Sequence, residues 1–395
     1  MATAPTRQSS RRKRKRGRIY FEKINASPFT PFTLHRAALA PLLPGANERS
    51  LEQSLEDSLE YSGNLARASG DMPFARFLCE QGLAPLWDER LEHASQAARL
   101  SPDFRNLVHQ QRLQATGDYL LQRHNLDSIK HILEEAGLAH VVTKGSHTRE
   151  VYYDTPALRP AVDIDILVEP ANKIAAIKAF QARGFTFHGL AQNISHECNL
   201  LKGNTCIDLH WDILRPGRTR EPMVEALLAR RMDYGSHWGL GHGASLFLML
   251  VHPVFTKYST TPYASLVRLV DLAQLLHRHP DSMDEALPLL HTAGLSTAGW
   301  ITMTWLDLLT DSPRVRALAE KIAPGRLRRK YLHTWLANNL STRLLGSPGL
   351  IQLGFTLPAH DTFGDALRAT RQARQHGQEA DTTLAAIQKQ VLSTP

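Results

Sequence analysis

Long hydrophobic runs are missing from this chain of 395 residues. The longest apolar stretch, "ASLFLMLVHPVF" at 244–255, is about half as long as a membrane-spanning helix requires. The basic N-terminus is not followed by an apolar segment, so the sequence predicts no secretory signal peptide. We therefore expect a protein that neither crosses a membrane nor enters the secretory route.

Cysteine is also scarce, with only Cys79, Cys198 and Cys206 in the whole chain. The number is odd, and no pair has the close spacing of a zinc knuckle. This argues against a disulfide framework and is typical of a reducing compartment. We expect a cytoplasmic protein.

The net charge of +8 is concentrated in one segment. Residues 1–18 contain eight Lys or Arg and no acid, which leaves the rest of the chain formally neutral. Such a segment is typically a disordered tail rather than a folded basic face. It would serve to hold nucleic acid, to touch an anionic surface or to act as a targeting signal.

The hydrophobic content of 43% and the chain length suit two or three packed units. After the tail, 19–136 has mostly helical periodicity, and the apolar pattern of its last helix stops at Gly137. The segment 137–220 has the alternating strand and helix patterns of a small α/β unit, and 221–395 again has helical periodicity. We therefore predict a central core between two helical regions.

The predicted core alternates short strands with helices. A β-branched run at 141–143 precedes a helix, and 162–168 reads as a second strand. An amphipathic helix at 171–184 and a strand at 205–214 follow. The order strand, helix, strand, helix, strand indicates one small sheet with helices packed on it.

Two aspartates interrupt the apolar strand "RPAVDIDILVEP". Because side chains alternate along a strand, Asp163 and Asp165 would share one face, and Val162, Ile164 and Ile166 the other. Two buried carboxylates side by side repel each other and need compensation by protons, basic groups or cations. Mg²⁺ is the natural candidate, since it prefers oxygen ligands.

The strand at 205–214 repeats this arrangement, with Asp208, His210 and Asp212 on one face. A third carboxylate opposite the first two would complete a clamp for two cations about 3.5–4 Å apart. We favour Asp208 for this position, with Asp212 as the alternative. His210 would orient a carboxylate or contact a phosphate, or be a structural histidine.

The segment Lys144-Gly145-Ser146 has the features of a phosphate cradle. Gly145 permits close backbone approach, Ser146 supplies a hydroxyl, and the following helix directs N–H groups at an anion. Lys144 would neutralise phosphate charge, or be a surface lysine at a strand end.

Three further basic groups have open roles. Arg159 would pair either with the triphosphate or with an aspartate. His252 and Lys257 would reach the nucleotide from the far wall of the cleft, or have structural roles at a helix end.

In this order the motifs resemble those of the DNA polymerase β-like nucleotidyltransferase superfamily. The chain resembles more narrowly a bacterial group of largely uncharacterised nucleotidyltransferase-family proteins, over roughly residues 70–280. The matching residues are Lys144-Gly145, Tyr152 or Tyr153, Arg159-Pro160, Asp163-Ile164-Asp165-Ile166-Leu167-Val168 and Asp208-Leu209-His210-Trp211.

The resemblance implies an α+β fold, with a minimal polymerase β-like core of small mixed sheet and helices flanked by helical regions. It implies that Gly145 and Ser146 hold the phosphates of a nucleoside triphosphate. Asp163 and Asp165 would bind two Mg²⁺ ions, with Mn²⁺ as an alternative, and Asp208 would complete the metal site. The expected reaction moves a nucleoside monophosphate to an acceptor and releases pyrophosphate.

The motifs do not identify the acceptor or the base of the nucleotide. A small molecule or a peptide is the first expectation. Toxin-like transfer to RNA or protein is the second, and the basic tail at 1–18 raises it modestly. A non-catalytic regulator that binds nucleotide is an alternative of another class, disfavoured because all three carboxylates are present.

Overall fold

The computed structural model describes residues 32–65, 70–92 and 94–392. The predicted basic tail, 1–18, lies outside this part of the chain. Helices form the N-terminal part of the described chain, and 3-10 turns at Ala40–Leu42 and Ser95–Arg99 connect them. The helices are α1 Thr33–Leu39, α2 Glu48–Leu65, α3 Met72–Glu80, α4 Ala84–Glu92 and α5 Pro102–Glu135.

The central part of the chain alternates strands and helices, as the sequence predicts. Proline begins the 3-10 turns at Pro156–Leu158 and Pro170–Asn172. The elements are β1 His140–Thr143, α6 Lys144–Tyr152, β2 Ile164–Val168, α7 Lys173–Ala182, β3 Thr186–His188, β4 Glu197–Lys202 and β5 Thr205–His210.

Most of the remaining chain is helical, with a 3-10 turn at Pro262–Ala264 and a π-helical turn at Gln352–Thr356. Two short strands near its beginning, β6 Arg231–Asp233 and β7 Trp238–Leu240, were not expected. The helices are α8 Val224–Leu228, α9 His242–Lys257, α10 Val267–Arg278, α11 Ser282–Ala293, α12 Ser296–Thr310, α13 Pro313–Glu320, α14 Arg326–Ala337, α15 Leu340–Arg343, α16 Pro348–Ile351 and α17 Phe363–Leu392.

The strands of the described chain form one mixed sheet in the order β3-β4-β5-β2-β1-β7-β6. At its centre β2 pairs in parallel with β5 and antiparallel with β1. The fold is therefore α+β, as expected. The sheet is larger than expected, because β3 and β4 precede β5 and because β6 and β7 extend the β1 edge. Strands of three residues are too short for alternation to reveal them.

Both predicted strands with aspartates are shorter than expected. The first begins at Ile164, and Val162 is 83% exposed, so the prediction that Val162 faces the core is wrong. Ile164 is the first residue paired with β5, and the chain before it, after Pro160, is irregular. The second ends at His210, so Asp212 lies beyond the strand.

One face of the sheet packs on a compact apolar core. Ile164, Ile166 and Leu209 contribute from the strands, and Ile177 and Phe180 from α7. The C-terminal half of α5 covers this face with the apolar side predicted from sequence, and α17 returns to it near its end. Their core side chains are Leu126, Ile129, Ile132, Leu133, Ile387 and Val391.

The opposite face carries the polar side chains. Val141 and Leu167 on this face join a second core, which the N-terminal and C-terminal helices build together. The other helices of the two regions therefore lie over the face that carries the aspartates, and a cavity lies there. Among the described helices, none has the length and apolar character needed to span a membrane.

Candidate active site

Strand register builds a polar row across the sheet. Asp165 on β2 is the register partner of Thr143 on β1 and of Asp208 on β5. Asp208 is in turn the partner of Asn199 on β4, whose amide Nδ2 donates to Asp208 Oδ1. Since register partners share a face, the two aspartates stand side by side. The structure thus brings Asp165 and Asp208 together, as the sequence predicts, whereas Asp163 lies before the start of β2.

The next row of the same face adds an imidazole. His210 pairs in register with Leu167 and with Glu197. Its Nε2 lies 3.0 Å from Asp165 Oδ1, and its Nδ1 lies 3.2 Å from Glu197 Oε2. His210 therefore bridges a carboxylate of the polar row and a carboxylate of β4.

Lys144 places its ammonium group beside these atoms. Its Nζ lies 2.6 Å from Asp165 Oδ1 and 3.1 Å from His210 Nε2. The backbone of Lys144 has a φ of 52°, which is uncommon for a residue with a side chain. Backbone strain of this kind concentrates at functional sites.

Three of these side chains lie close enough together to bind one metal ion. The ligand atoms of Asp165, Asp208 and His210 all lie within 4.8 Å of one another. Carboxylate oxygen and imidazole nitrogen are both common ligands of divalent ions, so the donor set fits a cation. Asp163 lines the same cavity but does not belong to this group of described residues.

The carboxylates differ in their electrostatic surroundings. Burial raises the pKa of Asp163 to about 7, and the charges of Asp165 and Asp208 act in the same direction. Burial and Asp165 likewise raise the pKa of Asp208. Burial also works against ionisation of Asp165, but the positive charge of Lys144 opposes it, and the pKa of Asp165 lies well below its usual range. Asp165 is thus the carboxylate most strongly held in its charged form.

The residues of the predicted phosphate cradle make contacts within the protein. The Ser146 hydroxyl is buried and lies 2.8 Å from the backbone oxygen of Asp163 and 3.1 Å from Gln122 Oε1, so these two acceptors share its single proton. A Cβ at position 145 would lie 2.4 Å from Arg159 Nη1, so glycine is needed there for the arginine to pass. Both residues support the loop before β2, and their contact with phosphate stays a prediction.

Gln122 on α5 is a supporting residue that the sequence reasoning missed. It accepts from Ser146 and, at 2.8 Å, from Arg149 Nη2, and it donates to the backbone oxygen of Ala161 at 2.8 Å. It thereby fixes α6 against the chain that leads to Asp163. A polar residue within a long amphipathic helix carries no local signal of such a role.

Arg159 adopts the second of its two expected roles, pairing with an aspartate. Its Nη2 and Nε donate to Asp271 Oδ2 and Oδ1 at 2.6 and 3.1 Å, and the Tyr153 hydroxyl also donates to Oδ1 at 2.7 Å. Burial would lower the pKa of Arg159, but Asp271 raises it above its ordinary value. The pair joins the segment before β2 to α10, and its aspartate comes from outside the polar row.

The polar row opens into a cavity of about 830 Å³. We call the side facing the strands the sheet wall, formed by Lys144, Asp163, Asp165, Asp208 and His210. The cavity is also lined by His252 and Lys257 of α9 and Arg268 of α10, which we call the helical wall.

The helical wall is basic. Among the described residues, no carboxylate lies within 4.0 Å of the charged groups of Lys257 or Arg268. Burial lowers the pKa of Lys257, as does the nearby charge of Arg268. His252 and Lys257 line the cavity, and their contact with a nucleotide stays a prediction. Arg268 is an addition that the helical pattern of α10 did not reveal.

Asp212 is placed differently from Asp208. Its Oδ1 accepts from the backbone N–H of Ile213 at 2.7 Å, and it is absent from the described cavity lining. Burial raises the pKa of Asp212 to about 6, although backbone N–H groups of Ile213 and Leu214 oppose the shift. Of the two candidates for the third carboxylate, Asp208 lines the cavity beside Asp165, and Asp212 does not line it.

A mixed sheet that presents carboxylates, an imidazole and a lysine to a deep cavity defines an α+β protein with a candidate cation-dependent active site. A family model described as uncharacterised nucleotidyltransferase matches residues 72–310, more than half of the chain. The chain belongs to this family. No curated protein gives a significant match.

The matched region starts with α3 and ends with α12, so it contains the whole sheet and both walls of the cavity. Membership supports nucleotidyl transfer as the class of activity and a nucleotide as substrate. The helices after Thr310, including α17, lie outside the matched region.

Proposed function

We propose that the protein transfers a nucleoside monophosphate from a nucleoside triphosphate to an acceptor in this cavity. An acceptor oxygen would bond to the α-phosphorus while the bond from that phosphorus to the bridging oxygen breaks. Pyrophosphate would leave with the bonding electron pair, and the acceptor proton would pass to solvent. The observation that carries the proposal is the polar row of Asp165 and Asp208, in the same cavity as a basic wall, in a chain of this family.

The sheet wall would hold the cofactor. Asp165 and Asp208 would bind divalent cations, with Asp163 in reach at the same cavity face. Mg²⁺ or Mn²⁺ bound there would neutralise charge on the triphosphate and lower the pKa of the attacking hydroxyl. We further propose that the sheet with α5, α6 and α7 is a polymerase β-like core.

The helical wall would position the phosphates. Lys257 and Arg268 line the cavity, and no carboxylate of the described chain lies within 4.0 Å of their charged groups, so both could contact a phosphate directly. Partly buried cations interact with phosphate more strongly than exposed ones because water screens them less. The N-terminus of α6, at Gly145 and Ser146, would add backbone donors.

We propose a small molecule or a peptide as the acceptor. A cavity of about 830 Å³ lies within the usual range for small-ligand sites, of about 300–1,000 Å³. A nucleotide occupies much of such a volume, which leaves room for a compact acceptor group or an inserted side chain.

The test is transfer of label from each nucleoside triphosphate, radiolabelled at the α-phosphate, in a cell extract with Mg²⁺ or Mn²⁺. Wild-type protein is expected to label an acceptor in a metal-dependent way, and Asp165→Asn to abolish labelling. Asp233→Asn is the matched control, since Asp233 lies on β6 of the same sheet, is exposed, and pairs with Lys130.

The nature of the labelled product then sorts the acceptors. Labelled material of low mass, or label that protease releases, supports the proposed acceptor class. Label that ribonuclease releases would replace it with RNA. Tight triphosphate binding with no transfer in any extract would overturn the enzyme and favour a nucleotide-binding regulator.

A further inference from the structure

The cation-binding group contains nitrogen as well as oxygen. His210 is 5% exposed and lies in the same group as Asp165 and Asp208. Mg²⁺ strongly prefers oxygen ligands, whereas imidazole favours first-row transition ions. A histidine in this position bears on which ion the site accepts.

Glu197 fixes the orientation of this imidazole. Its Oε2 lies 3.2 Å from His210 Nδ1, and an ionised carboxylate can only accept a hydrogen bond. The proton therefore belongs on Nδ1, which leaves the lone pair of Nε2 directed at Asp165 and Lys144. Carboxylate–histidine pairs of this kind orient metal ligands and raise their basicity in many metal sites.

Lys144 already places a cation between the ligand atoms. An ammonium group can only donate, so Asp165 Oδ1 at 2.6 Å and His210 Nε2 at 3.1 Å both face it as acceptors. These two acceptors lie 3.0 Å apart. That separation is about the distance between adjacent ligands of an octahedral ion with bonds of about 2.1 Å.

We propose that Asp165, Asp208 and His210 form a mixed oxygen and nitrogen site that prefers a first-row transition ion such as Mn²⁺ over Mg²⁺. Lys144 is the resident cation of this site, and the entering metal ion displaces its ammonium group into the cavity. This inference rests on the proposed function, which it deepens by naming the class of metal ion and a competitor within the chain.

Metal binding to the full chain, stripped of metal with a chelator, tests the site directly. Electron paramagnetic resonance measures free Mn²⁺ during titration, and competition gives the Mg²⁺ affinity. Wild-type protein is expected to bind Mn²⁺ at least about 10-fold more tightly than Mg²⁺. Pulsed measurements on the bound Mn²⁺ are expected to show coupling to an imidazole nitrogen.

Variants of the histidine pair separate a ligand from a neighbour. His210→Gln is expected to abolish the nitrogen coupling and to weaken Mn²⁺ more than Mg²⁺. Glu197→Gln, which keeps the ligand but loosens its orientation, is expected to weaken Mn²⁺ by roughly 10–100-fold. His188→Gln is the matched control, because His188 is an exposed histidine on β3 of the same sheet and is outside the cation-binding group.

Lys144→Met tests the resident cation. Without an ammonium group to displace, Mn²⁺ is expected to bind about 10-fold more tightly, even as triphosphate binding weakens. Unchanged or weaker Mn²⁺ binding in this variant would contradict the competition between Lys144 and the metal ion.

Two results for His210→Gln would contradict the mixed site. These are nitrogen coupling that persists in the variant, and an equal loss of affinity for Mn²⁺ and Mg²⁺. Circular dichroism checks that each variant is folded. If His210→Gln does not fold, the Mn²⁺ affinity of Glu197→Gln tests the mixed site instead.

These outcomes are distinct from those of the proposed function. If the protein binds Mn²⁺ through His210 but transfers no nucleotide, the metal site is supported and the proposed enzyme activity is contradicted. The His210→Gln variant could instead transfer nucleotide and keep the wild-type preference between Mn²⁺ and Mg²⁺. That result would support the proposed enzyme activity and contradict the mixed oxygen and nitrogen site.

Discussion

The two walls of the cavity handle charge in different ways. On the sheet wall, the ammonium group of Lys144 neutralises Asp165 at hydrogen-bond distance. On the helical wall, Lys257 and Arg268 face the cavity, and no carboxylate of the described chain lies within 4.0 Å of their charged groups. Asp165 on the sheet wall has a basic partner in direct contact, whereas Lys257 and Arg268 on the helical wall interact with carboxylates only at longer range. A cation at one wall and an anion at the other fit this division.

The largest expected effect comes from removing a carboxylate of the sheet wall. We expect Asp208→Asn to reduce the rate of nucleotide transfer by roughly 1,000-fold, as loss of a group that organises charge in the transition state does. Asp212→Asn is expected to reduce it by less than about 10-fold, because Asp212 lies beyond β5 and contacts backbone N–H groups. Initial rates of label transfer compare the two variants. A greater loss of rate in Asp212→Asn would show that Asp212, rather than Asp208, is the carboxylate needed for transfer.

The ion pair that joins the walls is expected to have the next largest effect. Asp271→Asn leaves the buried guanidinium of Arg159 without its charge partner and is expected to lower the free energy of unfolding by about 3–5 kcal/mol. Urea denaturation measures this loss. The double change Arg159→Met with Asp271→Leu is expected to recover most of it, because no buried charge then stays unpaired. A loss below about 1 kcal/mol in Asp271→Asn would show that the pair does not hold the walls together.

Local sequence was sufficient to predict one face of the site. Alternation along β5 placed Asp208 and His210 together, and the parallel pairing with β2 brought them to Asp165. Both follow from the period of a strand and from the apolar residues between the polar ones. The Val162 error has the same origin, since alternation does not show where pairing begins.

The partners of these residues could not be predicted from sequence alone. Glu197 and Asn199 reach the site from β4 through register, which depends on how distant strands align. Gln122 and Asp271 approach from helices whose local pattern indicates only an amphipathic surface. Arg159 has two chemically reasonable partners in any sequence-based argument, and only the packing of α10 on the core selects Asp271.

A smaller effect is expected from neutralising the helical wall. Arg268→Met removes a cation that faces the cavity and is expected to raise the KM for the triphosphate by about 10-fold, with less effect on kcat. Arg278→Met is the matched control at the other end of α10, where Arg278 pairs with exposed Asp154. Steady-state kinetics with varied triphosphate distinguish the two changes. Equal effects would show that the charge of α10 acts at long range rather than through contact.

The smallest effect is expected from deleting residues 1–18, which hold eight of the basic residues and leave the rest of the chain formally neutral. If the helical wall supplies the charge that holds the triphosphate, transfer to a small acceptor should be nearly unchanged, and so should its dependence on salt. Contacts with nucleic-acid phosphates weaken steeply as salt concentration rises. A large, salt-dependent loss on deletion would therefore transfer the anion-binding role from the helical wall to the tail and make RNA the favoured acceptor. Transfer rates measured at low and high salt, with and without residues 1–18, show whether the cavity or the tail binds the anionic ligand.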